Sequence, residues 1–169
     1  MKSDIGPVGI GGWLILPALG LVISPIVRGF MFFRYIVPTL DASIWKTLSD
    51  PSSAVYHPLW VPMILFEAVS SIVIFAFTLW LGYLFFVRIS PLVPRVFIVW
   101  LACHLIAQII DVTLINSIPL AAEKFGHEAL TGLGRSVVSA AIWIPYFLRS
   151  QRVKNTFTNA AAASASAAR

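Results

Sequence analysis

Hydrophobic residues gather into four long runs separated by short polar stretches. Residues 10–35, 59–87, 96–119 and 133–149 each read as a bilayer-spanning helix, which needs about 20 predominantly apolar residues. The first run carries Pro17 and Pro25, which lipid tolerates as kinks where neighbouring groups satisfy the freed carbonyls. Glu67 is the single charge within the second run, and Arg88 ends it. The connector ISPLVPR has two prolines and room only for a tight turn between antiparallel helices. In the fourth run the apolar core, 133–148, falls short of a full span, so it requires Arg135 to snorkel or to pair.

The stretches between runs predict two loops on the side away from the termini. In residues 38–60 the chain turns polar, with Asp41, Lys46, Asp50, His57 and the breakers Pro51 and Pro58. Asp41 is placed to cap a short helix whose Ile44, Trp45 and Leu48 form one apolar face, lying on the membrane surface rather than crossing it. AAEKFGHEALTG, with Glu123, Lys124, His127 and Glu128, reads as the second polar loop. The expected fold is therefore all-α: an integral membrane four-helix bundle with a short interfacial helix in its first outer loop. Residues 1–157 form one transmembrane domain, and residues 158–169 a low-complexity Ala/Ser tail without a role.

Composition agrees with this pattern. Of 169 residues, 59% are hydrophobic and 11% charged, and the mean hydropathy is +0.88, whereas soluble domains are about a quarter charged. The net charge of +5 is spread along the chain and flanks apolar runs, so no nucleic-acid partner is expected. Lys2 alone precedes the first run and no small-x-small cleavage site follows it, which favours a retained helix over a cleaved signal. The single Cys103 lies within an apolar run and reads as a small buried hydrophobe.

Lysine and arginine counts set the orientation. Four spans place both termini on one side with Lys2, Arg88, Arg95, Arg149, Arg152, Lys154 and Arg169, against Asp4. The other side holds Arg28, Arg34, Lys46, Lys124 and Arg135 together with Asp41, Asp50, Glu123 and Glu128. The positive-inside rule then puts both termini in the cytoplasm of a bacterial inner membrane. At the inner interface, Arg149, Arg152 and Lys154 follow Trp143 and Tyr146. They suit anionic headgroups, at about 1 kcal/mol each, or a cytoplasmic partner.

The candidate chemistry lies in the third run. VFIVWLACHLIAQIIDVTLINSIPL holds His104, Gln108 and Asp111 at steps of four and three residues, one helical face. An ionisable residue at membrane depth is a functional-site hypothesis by default. Counting ~1.5 Å per residue from the outer end puts Glu67 roughly 10 Å deep and Asp111 roughly 12 Å, with Arg28 and Arg135 approaching that level. Two readings stand. In the first, two arginines neutralise two carboxylates and lock the helices together. In the second, the group is a proton or ligand site opening outwards. Haem is disfavoured because His57 and His127 fall in outer loops, leaving His104 without a second imidazole at its depth. No HExxH, GxSxG or glycine-rich phosphate loop occurs, so neither metal, cofactor nor enzymatic activity is expected.

Two strings are distinctive: GIGGWLILPALGLVISP near the start and WIPYFLRSQRVKNTF near the end. With the four-run spacing, they resemble a family of small bacterial inner-membrane proteins known as domain of unknown function twenty-five sixty-nine. The resemblance covers roughly residues 9–157 and implies a four-helix membrane protein with no activity to carry over. The expectation is a non-enzymatic accessory or scaffold subunit, in contact with membrane lipids and with a membrane-protein partner or a second copy. The alternatives are a proton-coupled carrier using the polar cluster and a lipid- or quinone-interacting enzyme.

Overall fold

The computed structural model describes residues 8–159, and every regular element among them is helical. Helix α1 spans Gly12–Thr39, α2 Ala42–Ser49, α3 Trp60–Val87, α4 Val93–Ser117 and α5 Pro119–Arg149. A short turn, Gln151–Val153, then opens into a wider π-helical turn, Lys154–Asn159. Helices α1, α3 and α4 are each long and apolar enough to cross a membrane. The residues beyond 8–159, including Lys2, Asp4, Arg169 and nearly all of the Ala/Ser tail, lie outside the described part.

Local chemistry explains the element ends. Asp41 caps α2 by accepting from the Ser43 amide at 2.9 Å, as its position predicts. In α1, Phe32–Ile36 forms a widened π turn just before Pro38, whose missing N–H cannot serve the carbonyl four residues back. Helix α3 ends in a similar turn, Tyr83–Val87, where the Ser90 amide donates to the Leu84 carbonyl and Ile89 takes φ 42°. That left-handed position is one that glycine ordinarily fills. Pro119 opens α5, where its absent donor costs nothing.

The helices pack in chain order, α1 on α3, α3 on α4, and α4 along most of its length on α5. Two apolar cores result. One joins Leu14 and Leu21 of α1, Leu81 and Phe85 of α3, Phe97 and Leu101 of α4, Phe147 of α5, and Phe157. The other joins Trp60 and Ile64 of α3, Ile115 of α4, and Ala121 and Ala129 of α5, with Trp45 and Leu48 of α2 against it. Of the apolar face predicted for α2, Trp45 and Leu48 cover the second core, while Ile44 is exposed.

Two expectations change. Residues 121–132 are not a loop: they form the first turns of α5, which runs unbroken for 31 residues. Glu123, Lys124, His127 and Glu128 fall on the exposed face of that helix, while Ala121, Gly126 and Ala129 face inwards. Their helical spacing, masked by the density of charge, is what binds this segment to α4. Cys103 is also exposed rather than buried, because α4 turns His104 inwards and its neighbour outwards.

Candidate functional site

Between the two apolar cores lies a layer of polar side chains. Helix α4 supplies His104, Gln108 and Asp111 from one partly buried face, α1 supplies Arg28, and α3 supplies Glu67. The Arg28 Nη2 lies 3.1 Å from His104 Nδ1. A guanidinium can only donate, so Nδ1 presents its lone pair and any ring proton sits on Nε2. The His104 ring stacks on Trp100, 5.9 Å between centroids at 14°. Trp100 is held in turn by donating to Thr78 Oγ1 at 2.9 Å, and Thr78 donates to the Ile74 carbonyl at 2.7 Å.

The carboxyls lie one step closer to the second core. Asp111 Oδ2 accepts from Gln108 Nε2 at a long 3.4 Å, and the buried Oδ1 faces no fixed donor. The Glu67 and Asp111 carboxyls act on each other, and Arg28 acts on Asp111 through space. Gln108 is pressed against α5 at Gly132, where an added Cβ would sit 3.3 Å from Oε1. The buried Ser24 hydroxyl of α1 likewise has no partner.

Five of the six predicted cluster residues therefore come together, Glu67, His104, Gln108, Asp111 and Arg28. Arg135 does not. It lies about sixteen residues into α5 rather than in a first turn, and it is exposed. Arg28 is the charge that acts on Asp111, with Glu67 and Gln108 beside it, so the expected balance of two acids by two arginines is not what the structure builds. Among the described residues, no group of three His, Cys, Asp or Glu side chains could hold a metal ion.

A second constellation joins the chain ends. The Gly9 amide donates to Thr156 Oγ1 at 2.9 Å, and that hydroxyl reaches back to the Gly9 carbonyl at 3.4 Å. The Arg152 side chain lies over Gly11 and Gly12, so closely that a Cβ on Gly11 would meet Nη1 at 2.6 Å. Phe157 is fully buried and packs on Phe85, ring centroids 5.1 Å apart. The predicted basic motif is thus divided: Arg149 and Lys154 are exposed, whereas Arg152 turns inwards onto glycine.

A family model described as "Protein of unknown function (DUF2569)" matches residues 7–158. The chain belongs to the DUF2569 family. No curated protein and no solved structure matches it. The DUF2569 match takes in both the polar layer and the clasp. In this DUF2569 chain the opening glycines and the closing RSQRVKNTF segment are two halves of one contact.

Several members of these sites escape a reading by periodicity. Thr78 and Trp100 look like ordinary span residues, and their bond joins α3 to α4. Gly132 reads as a loop glycine until its segment is seen to be helical. Thr156 and Gly9 are 147 residues apart, and no local pattern relates them.

Proposed function

We propose that this DUF2569 chain is a four-pass accessory subunit of a bacterial inner-membrane complex, docking on a partner membrane protein through the outward face of α5. The observation that carries this reading is the contrast between helix faces. Along the middle of α1, α3 and α4 the exposed residues are mostly apolar, among them Ile26, Phe30, Val69, Val73, Ile106 and Ile109. On α5 they include Glu123, Lys124, His127, Glu128, Thr131 and Arg135. Helix α5 lies antiparallel along α4, with Gly126 beside Asn116 and Gly132 beside Gln108. Arg135 therefore stands at the level of the polar layer, yet outside it. Charged groups at that depth face protein or water, not lipid, and a partner helix bearing a carboxylate would suit Arg135.

The contact between the described chain ends supports a fourth pass by α5. Gly9 meets Thr156, so three apolar helices carry the chain away and α5 returns it. Arg88, Arg95, Arg149, Arg152 and Lys154 flank that end of the spans, and the positive-inside rule favours a cytoplasmic side for it. Reporter fusions at either end should both report a cytoplasmic location. A photo-crosslinking residue at Thr131 should label one membrane protein in cells, whereas the same residue at Val69 labels lipid. Labelling of lipid alone at Thr131 would refute the docking role, and labelling of a second copy would make the assembly a homo-oligomer.

The Glu67–Asp111 contact favours a second reading, a proton-coupled carrier. Two acidic side chains from neighbouring helices act on each other inside the span, and the buried Asp111 Oδ1 has no hydrogen-bond partner. Asp111→Asn should then abolish a proton-coupled flux in proteoliposomes without lowering the yield of folded protein. Loss of folded protein instead would assign the layer to helix association.

A further inference from the structure

The outward side of α5 carries a regular pattern of its own, opposite the small residues that pack on α4. His127, Thr131, Gly134, Val138, Ala141 and Pro145 are all exposed and follow one another at alternating steps of four and three residues. That spacing draws a nearly straight seam down a helix, the line along which a second helix packs. The middle of the seam is open: a Cβ added at Gly134 would meet nothing within 4 Å, and Ala141 stands one heptad further on. Small residues are what let two helix backbones approach closely inside a bilayer.

Arg135 borders this seam at mid-span. With Gly132 beside Gln108 and the two helices antiparallel, Arg135 stands at about the level of Leu105, the middle of α4. The edge of the hydrocarbon is then about 15 Å away, further than one side chain extends. Among the described residues no hydrogen bond or ion pair reaches Arg135, although its side chain is exposed. A guanidinium so placed has five N–H donors and calls for an acceptor from outside the chain.

We propose that this face receives one transmembrane helix of a different protein, packed along residues 131–141 with an aspartate or glutamate set against Arg135. The position directly beside a seam residue is where packed helices exchange ion pairs. A second copy does not supply the acid, since none follows Glu128 in α5. Two copies in the same orientation align α5 with α5 in parallel, each residue near its own level in the other. Glu128 then stands about 10 Å from the level of Arg135 at the helical rise, and both side chains lean the same way, towards the helix start. The proposal rests on α5 being the docking helix and adds the chemistry of what docks there.

The experiment places the full chain in vesicles of zwitterionic phospholipid with a synthetic transmembrane helix of leucine and alanine. The peptide carries a glycine seam and either glutamate or glutamine at its centre, and energy transfer between labels on chain and peptide reads their association. The glutamate peptide is expected to associate roughly tenfold or more tightly than the glutamine one. Arg135→Gln should erase that preference, Arg135→Lys should keep it, and Gly134→Leu should weaken both peptides. Equal association of the two peptides with the unaltered chain would overturn the proposal. A preference that survives Arg135→Gln in a chain of unchanged unfolding temperature would do so too. Transfer between differently labelled copies of the chain, abolished by Gly134→Leu, would also overturn it by making the occupant a second copy. Photo-crosslinking from Thr131 in cells reads the docking role separately: a labelled membrane protein without a glutamate preference keeps that role and rejects the acid-bearing helix.

Discussion

Thr156 returns a hydrogen bond to Gly9 while Arg152 covers the next two glycines, so single side chains decide how the first helix is anchored. Gly12 has φ +54°, a conformation that costs a residue with a Cβ about 1 kcal/mol or more. Gly12→Ala should lower unfolding stability in detergent by that amount. Phe157 is fully buried against Phe85, and Phe157→Ala should cost about 3–5 kcal/mol in the same measurement. Arg152 was legible in the sequence as a basic residue near the inner interface. Its turn onto glycine was not, because that depends on a helix beginning 140 positions earlier in the chain.

At the scale of the element, two short structures make separable predictions. Ile89, at φ 42°, reverses the chain between α3 and α4 in a conformation that strains a β-branched residue. Ile89→Gly should raise unfolding stability by up to about 1 kcal/mol as that strain is released. In the outer loop, the Ser43 hydroxyl and amide hold the Asp41 carboxyl below the ordinary carboxylate range. The Ser52 amide and hydroxyl do the same for Asp50. A depressed carboxylate stabilises its folded surroundings above the unfolded value and loses that contribution as pH falls through the folded one. Hydrogen exchange at the Ser43 and Ser52 amides, corrected for intrinsic rate, should therefore be constant above pH 5 and accelerate below about pH 4. Helix α2 was readable from its cap and apolar face. The first turns of α5 were not, since charge density resembles a loop when the inward-facing alanines and glycine are not recognised as a packing stripe.

At the scale of the whole molecule, a layer of polar side chains lies between two apolar cores. Five residues from three helices converge there, and their grouping was foreseeable from depth along antiparallel helices. Arg135 reaches the level of the layer but not the layer itself, because the rotation of α5 turns its side chain outwards. Arg135→Leu should leave the unfolding temperature of the isolated chain unchanged or raised, since the exposed side chain is not among the groups acting on the buried carboxyls. The same variant should reduce recovery of the partner proposed for α5, measured by co-purification in mild detergent.

By itself the sequence determined that the chain is helical, that its apolar runs suit a membrane, and that acidic and imidazole groups stand inside them; of the four runs read as spans, three are helices long and apolar enough to cross. Hydrophobic length and period are local properties, and solvent transfer reads them directly. Tertiary structure alone decided which charges meet: Arg28 with His104, Glu67 with Asp111, and Arg152 with the opening glycines. Partner choice depends on the rotation of each helix about its own axis, and side chains of every neighbour settle that rotation together. It also decided that the first half of α5 shows charge beside its exposed apolar residues, because packing on α4 turned the small residues inwards and left the polar ones outside.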